Sequence, residues 1–101
     1  MNQDSETPIE IADPFARRLL SQYLERRKAD LNRLRKALAA ADFSSIERTG
    51  HNLFGSGAAY GLDEISSLGA RLEKAAQAAQ ADNVAGVLDD LERFVNKVTI
   101  A

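Results

Sequence analysis

The chain has 101 residues, of which 45% are hydrophobic and 28% charged, a balance typical of one folded domain rather than a disordered chain. It contains no cysteine, which excludes disulfides and thiolate metal sites, and its single histidine argues against a histidine-based metal site. The net charge of −2 gives no general attraction to nucleic acid or to anionic lipid. Any partner must therefore recognise a local surface.

The first twelve residues show no hydrophobic periodicity, and we expect residues 1–12 to form a flexible, mobile N-terminal arm. Ile9 and Ile11 in this arm could pack over one end of the folded unit. The acidic start lacks the basic and apolar regions of a signal peptide, and no apolar run approaches the roughly 20 residues needed to cross a bilayer. The sequence therefore predicts a cytoplasmic protein whose domain covers residues 13–99.

The first helical segment opens with Asp13 as the predicted N-cap and Pro14 as the first helical residue. It continues for about seven turns at the helical repeat of 3.6 residues. Its leucines recur on one face and predict a buried stripe: Leu20, Leu24, Leu31, Leu34 and Leu38. The pattern leaves open whether this helix breaks near residues 25–30.

Three further helical segments follow after short connections. The second begins near Ser44, and Glu47 lies at the capping-box spacing from it. The third follows Gly61 and the fourth follows Asp82. Both carry apolar residues that recur alternately three and four positions apart. These are Ile65, Leu68, Leu72, Ala75 and Ala79 in the third segment, then Val84, Val87, Leu91, Phe94 or Val95, and Val98 in the fourth. Because no stretch alternates with the period of a strand, the sequence predicts an all-α, antiparallel, up-and-down four-helix bundle.

The only histidine, His51, points away from the core side of the second segment. On a wheel of about 100° per residue, three large residues lie roughly opposite to it: Ile46, Leu53 and Tyr60. Small residues lie beside it, with Gly55 about 40° away and Ala58 about 20° away. A mid-helix glycine costs about 1 kcal/mol relative to alanine, which suggests a steric purpose. We interpret Gly55 as clearing space for a partner, and Gly50 and Gly57, nearer the core side, as permitting close helix packing.

An exposed imidazole is a nucleophile near neutral pH. Hydrolysis would also need an orienting carboxylate, an oxyanion pocket and a cleft that excludes water, and a convex helix face predicts none of these. Glu47, one turn before His51, predicts only a weak local contact and no catalytic dyad. Phosphoryl transfer fits better, because it depends on positioning and charge neutralisation that a partner with its own metal ion can supply.

Residues 51–82, "HNLFGSGAAYGLDEISSLGARLEKAAQAAQAD", resemble the signature of histidine-containing phosphotransfer (HPt) domains, the relay modules of multistep two-component signalling. The positions that carry the resemblance are His51, Leu53, Gly55, Ser56, Gly61, Leu68, Leu72 and Glu73. The resemblance implies that His51 accepts a phosphoryl group from a receiver-domain aspartate and passes it to another. It also implies that Gly55 permits receiver approach and that Ser56 supports the histidine helix or its phosphorylated state.

One position departs from the family pattern. Where HPt domains commonly have lysine, this chain has Phe54, about 60° from His51 on the wheel. Phenylalanine cannot neutralise a phosphoryl group, whereas Arg48, about 60° to the other side, could approach its oxygens or could remain solvated. Phe54 itself either forms an exposed docking contact or packs beneath a neighbouring helix.

The resemblance implies a phosphocarrier rather than an autonomous enzyme. We expect a monomer with no cofactor or metal of its own, with Mg²⁺ held by the partner, and with response-regulator receiver domains and a hybrid histidine kinase as partners rather than nucleic acid or a membrane. A non-phosphorylated helical adaptor that binds a receiver or kinase domain is the alternative. The basic stretch "ERRKADLNRLRK" is interpreted as a solvated face, because Glu25 and Asp30 interrupt it, or else as a surface that steers an acidic receiver.

Overall fold

A computed structural model of the protein describes residues 7–9 and 13–100. In chain order it contains strand β1 (Thr7–Ile9), helices α1 (Pro14–Ala39), α2 (Phe43–Ala59), α3 (Asp63–Gln77) and α4 (Ala81–Lys97), and strand β2 (Val98–Ile100). The short connections make consecutive helices antiparallel neighbours. The predicted four-helix bundle is confirmed.

Helix α1 begins as the sequence predicts. The Asp13 carboxylate accepts a hydrogen bond of 3.0 Å from the backbone N–H of Phe15, and Pro14 is the first helical residue. The helix then continues without interruption to Ala39, so there is no break near residues 25–30.

The start of α2 differs from the prediction. The helix begins at Phe43, and Asp42 caps it by accepting from the Ser45 N–H at 3.2 Å and from the Ser45 hydroxyl at 2.7 Å. These two hydrogen bonds hold the pKa of the Asp42 carboxyl below its ordinary value of 3.8. The predicted capping box of Ser44 and Glu47 is therefore wrong, because the carboxylate two residues earlier already satisfies the free amide of the first turn.

The core follows the predicted stripes closely. Its most deeply buried side chains come from the last three helices: Ile46, Ile65, Leu72, Val84, Leu88 and Leu91. Three predicted members differ. Leu38 is only partly buried, Ala79 lies exposed in the turn after α3 with a positive φ of 53°, and Tyr60 is 41% exposed at the end of α2. Helix α2 ends before Tyr60 and α3 ends before Ala79, so the helical repeat does not determine the direction of those two side chains.

Helices α2 and α3 approach each other closely through glycines. A Cβ added to Gly50 would lie 2.7 Å from the Glu73 backbone nitrogen, and one added to Gly57 would lie 2.5 Å from the Ser66 nitrogen. The predicted packing role of these two glycines is confirmed. Gly69 on α3, which the sequence analysis did not single out, completes the contact, since its added Cβ would lie 2.4 Å from a backbone nitrogen of α2.

The two strands were not predicted. Within the arm expected to be mobile, Thr7–Ile9 pair in parallel with Val98–Ile100, with Thr7 opposite Val98 and Ile9 opposite Ile100. This pairing joins the N-terminal segment to the end of α4, at a position that the sequence had assigned to the helix. Strands of three residues are too short to show an alternating pattern. The predicted packing of Ile9 and Ile11 over the bundle end lies outside the described side chains.

The four helices leave the second one, α2, with one face towards α3, one towards α1 and one towards solvent. None of the described helices is long and apolar enough to span a membrane.

Candidate functional site

His51 lies on the solvent-facing side of α2, with 68% of its side chain exposed. Its Nδ1 atom is 3.3 Å from Oε2 of Glu73, a half-buried residue of α3. This carboxylate faces the Nδ1 edge of the imidazole ring, while most of the His51 side chain is exposed to solvent. The site therefore combines an accessible nitrogen nucleophile with a fixed negative charge at one edge of the ring.

The close approach of α2 and α3 places Glu73 beside His51. The backbone of Glu73 lies against Gly50, the residue that precedes His51, and from there its carboxylate reaches the Nδ1 edge of the ring. No spacing within the second segment could reveal this contact, because the two residues belong to different helices. The resemblance to HPt domains named Glu73 only as part of a Leu-Glu pair and gave it no role at the ring.

Glu47 has a different partner. Its Oε2 atom accepts a hydrogen bond of 3.0 Å from the side-chain amide of Gln77 on α3. The helical spacing predicts at most a weak contact between Glu47 and His51, and the carboxylate next to the imidazole is instead that of Glu73.

The surface next to His51 is bare. A Cβ added to Gly55 would meet no atom within 4 Å, and Ala58, one turn further along, is exposed. Gly55 thus differs from Gly50 and Gly57, since no neighbouring helix requires its lack of a side chain. This open space agrees with the interpretation that a partner approaches His51 here.

Phe54 is exposed rather than packed beneath a neighbouring helix. Its side chain is 48% exposed, while its backbone carbonyl accepts a hydrogen bond of 2.8 Å from the Ser66 hydroxyl on α3. The backbone at this position therefore secures α2 to α3, and the aromatic ring is presented to solvent on the His51 side of the helix.

Ser56 connects α2 to α1. Its hydroxyl forms a hydrogen bond of 2.8 Å with the phenolic oxygen of Tyr23, which is 2% exposed. The Tyr23 ring stacks on Tyr60 with 4.3 Å between ring centroids, and the guanidinium of Arg27 lies 4.2 Å from the centre of the Tyr23 ring. Tyr23 was not among the predicted core residues, although it lies between Leu20 and Leu24 and fits the spacing of the leucine stripe.

Arg48 is exposed one turn before His51 and lines a cleft between α1 and α2. Within the described part of the chain, no carboxylate lies within 4.0 Å of its guanidinium. Beside the two hydrogen bonds from Ser45, its positive charge helps to lower the pKa of the nearby Asp42 carboxylate.

The basic stretch of α1 is not simply a solvated face. Asp30 is only 6% exposed, and it accepts a hydrogen bond of 2.9 Å from Nε of Arg27 and a second one from Arg33. The carboxylate that interrupts the basic stretch is therefore a buried anchor that organises two of its arginines. Among the residues that the structure describes, no cluster of histidine and carboxylate side chains could hold a metal ion.

Comparison with known proteins agrees with this architecture. The model of the Hpt domain family matches residues 18–97, which covers all but the first turn of the bundle. The comparisons with curated proteins and with solved structures gave no match. Hpt domains are phosphocarrier modules that take part in phosphoryl transfer in phosphorelays, where they interact with receiver and kinase domains. Because this match covers most of the chain, the chain belongs to the Hpt domain family.

Proposed function

We propose that this protein carries phosphoryl groups between two receiver domains, with His51 as the residue that is phosphorylated. The observation that carries the proposal is the exposure of the His51 ring beside open space at Gly55, with Glu73 facing its Nδ1 edge at 3.3 Å. The carrier acts as a monomer and has no cofactor of its own. The partner receiver holds the Mg²⁺ that neutralises phosphoryl charge during transfer.

In the transfer step, the Nε2 lone pair of His51 attacks the phosphorus of a receiver aspartyl phosphate. The bond between phosphorus and the aspartyl oxygen breaks, and the aspartate leaves as a carboxylate with the bonding electrons. Nδ1 keeps its proton, so the phosphorylated ring carries a positive charge that the Glu73 carboxylate stabilises. The same sequence in reverse passes the phosphoryl group to the aspartate of a second receiver.

The bare surface gives the partner access for this attack. In-line transfer requires the receiver backbone to come close enough for the reacting atoms to meet at about 3 to 3.5 Å. The open space at Gly55 and the exposed methyl group of Ala58 allow this approach. Phe54 supplies an apolar docking contact at the edge of the same surface.

Arg48 takes over part of the role that a lysine at position 54 would have. It is exposed on the same helix, one turn from His51, and its guanidinium can donate two hydrogen bonds to phosphoryl oxygens. Phosphorylation adds a charge close to −2, so a nearby unpaired cation favours the phosphorylated state.

The test is incubation of the purified protein with a receiver domain that carries ³²P on its aspartate. We expect acid-labile, hydroxylamine-sensitive label on the wild type and none on His51→Gln. Gly55→Gln should block transfer by filling the open space. Gly86→Gln is its matched control, because Gly86 is also a helical glycine whose added Cβ would meet no atom within 4 Å, on α4. Label that persists in His51→Gln would contradict the assignment of the phosphorylated residue.

The adaptor function remains the second candidate, and the exposed aromatic ring of Phe54 at the usual position of a cation is the observation that favours it. An adaptor would bind its receiver with unchanged affinity in His51→Ala, and the wild type would take no label. Transfer to wild type with loss in His51→Gln would exclude it.

A further inference from the structure

The boundary between α1 and α2 forms a groove with an excess of positive charge. Two adjoining clefts of about 470 Å³ and 370 Å³ lie there and share part of their lining, including Asp30, Arg33 and Asn52. We name their combined lining the α1–α2 groove. Its cations are Arg26, Arg27, Arg33, Lys36 and Arg48, and its carboxylates are Asp30 and Asp42.

The charge of this groove is opposite to that of the rest of the protein. Five cations and two carboxylates give the groove a formal charge of +3, whereas the other residues that the structure describes carry eight cations and ten carboxylates, a formal charge of −2. Such a segregation of charge produces a local positive potential that attracts anionic surfaces over distances of about a Debye length, roughly 8 Å at physiological salt.

The two carboxylates of the groove offset part of its cationic charge, and the formal charge of +3 is what remains after they are counted. Asp30 is buried and bonded to Arg27 and Arg33, and Asp42 caps α2. By contrast, three groove cations have no carboxylate within 4.0 Å among the described residues: Arg26, Lys36 and Arg48. All three are exposed.

The groove lies directly beside His51. Arg48 and Asn52, which line it, precede and follow His51 on α2, so a protein that covers the imidazole also covers this edge of the groove. On the other side of the ring lie the carboxylates of Glu47 and Glu73. The charge of the surface therefore changes sign across His51, from positive on the α1 side to negative on the α3 side.

We propose that the α1–α2 groove is an electrostatic docking surface for an acidic face of the protein that exchanges its phosphoryl group with His51. The sign change across the imidazole fixes the orientation of that partner, because the reversed orientation would bring its acidic face against Glu47 and Glu73. This inference rests on the proposed function for the identity of the partner. Nucleic acid fits the surface less well, since the rest of the chain is acidic and Tyr60 is the only exposed aromatic residue among those that line the groove.

The test compares two double variants with the same change in net charge. Arg26→Glu/Lys36→Glu reverses two unpaired cations of the groove. Lys74→Glu/Lys97→Glu reverses two lysines in the last turns of α3 and α4, which match Lys36 in the last turn of α1 and lie outside the groove. All proteins also carry His51→Gln, so association is measured without phosphoryl transfer. The probes are the purified receiver domains encoded in the same genome, with a short DNA duplex as a separate probe.

We expect the groove variant to lower the association rate constant of the receiver about tenfold at low salt and to flatten its salt dependence, and the control to change it less than about twofold. Equal effects of the two variants, or binding of receivers without any dependence on the groove, would overturn the inference. So would groove-dependent binding of DNA when no receiver binds. Failure of the proposed function is a different result, namely the absence of label on wild-type protein.

Discussion

The substitution Gly50→Ala tests how the fold places Glu73 beside His51. The added Cβ would lie 2.7 Å from the Glu73 nitrogen and 2.8 Å from the Gly69 carbonyl oxygen. Ordinary contact begins at 3.4 Å, so α3 must move away by about 0.7 Å. The neighbouring atoms belong to backbone, and no flexible side chain can give way.

The expected magnitude is the difference between two opposing effects. Overpacking costs up to about 3 kcal/mol, while replacing a helical glycine by alanine contributes about 1 kcal/mol of helix propensity, which leaves a net loss of up to about 2 kcal/mol. For a domain of this size a loss of about 2 kcal/mol would lower Tm by about 8 to 16 °C. Gly86→Ala is the control, because its Cβ enters open space and it should gain about 1 kcal/mol.

The assay is urea unfolding followed by circular dichroism, with phosphoryl transfer measured on the same samples. Because the shift of α3 also moves Glu73 away from the imidazole, Gly50→Ala should transfer more slowly than Gly86→Ala even where both are fully folded. If Gly50→Ala is as stable as Gly86→Ala, helices α2 and α3 do not pack as closely as described, and the positioning of Glu73 needs another cause.

Three further predictions follow from single contacts. Glu73→Gln keeps an acceptor beside His51 but removes the charge, and we expect transfer in quench-flow experiments to slow about two- to fivefold, the size of a partly exposed ion pair; an unchanged rate would show that the carboxylate is idle. Tyr23→Phe and Ser56→Ala should each lower the free energy of unfolding in urea by about 1 kcal/mol, and the double variant should lose no more than either single variant. Additive losses would mean that the two hydroxyls act separately. Hydrogen bonding lowers the pKa of the folded Asp42 carboxyl below 3.8. The wild type should therefore have a higher free energy of unfolding than Asp42→Asn at pH 7, and this difference should disappear as the pH falls below 3.8 and through the lowered pKa. A difference in free energy of unfolding that does not change with pH would contradict this.

The sequence predicted the bundle well because the helices bury apolar stripes that repeat at the helical period. The spacing of the leucines in α1 and of the apolar residues in α3 and α4 reflects burial directly. The wheel also separated Gly55, which faces open space, from Gly50 and Gly57, which face backbone. These distinctions depend only on position within one helix.

The features that the sequence analysis missed depend on contacts between elements. Glu73 reaches His51 from another helix, and Asp30 is buried because α1 and α2 meet at its position. A charged residue in a basic stretch gives no local signal that it is an anchor. The pairing of Thr7–Ile9 with Val98–Ile100 joins residues at opposite ends of the chain, which no local pattern can predict.

Nitrogen NMR of the imidazole during transfer from a phosphorylated receiver shows whether His51 carries the phosphoryl group. His51 is the only histidine in the chain, so protein labelled with ¹⁵N-histidine gives the signals of one ring. We expect Nε2 to become coupled to ³¹P while Nδ1 retains its proton beside Glu73. A ring spectrum that stays unchanged while the receiver loses its phosphoryl group to water would contradict this expectation.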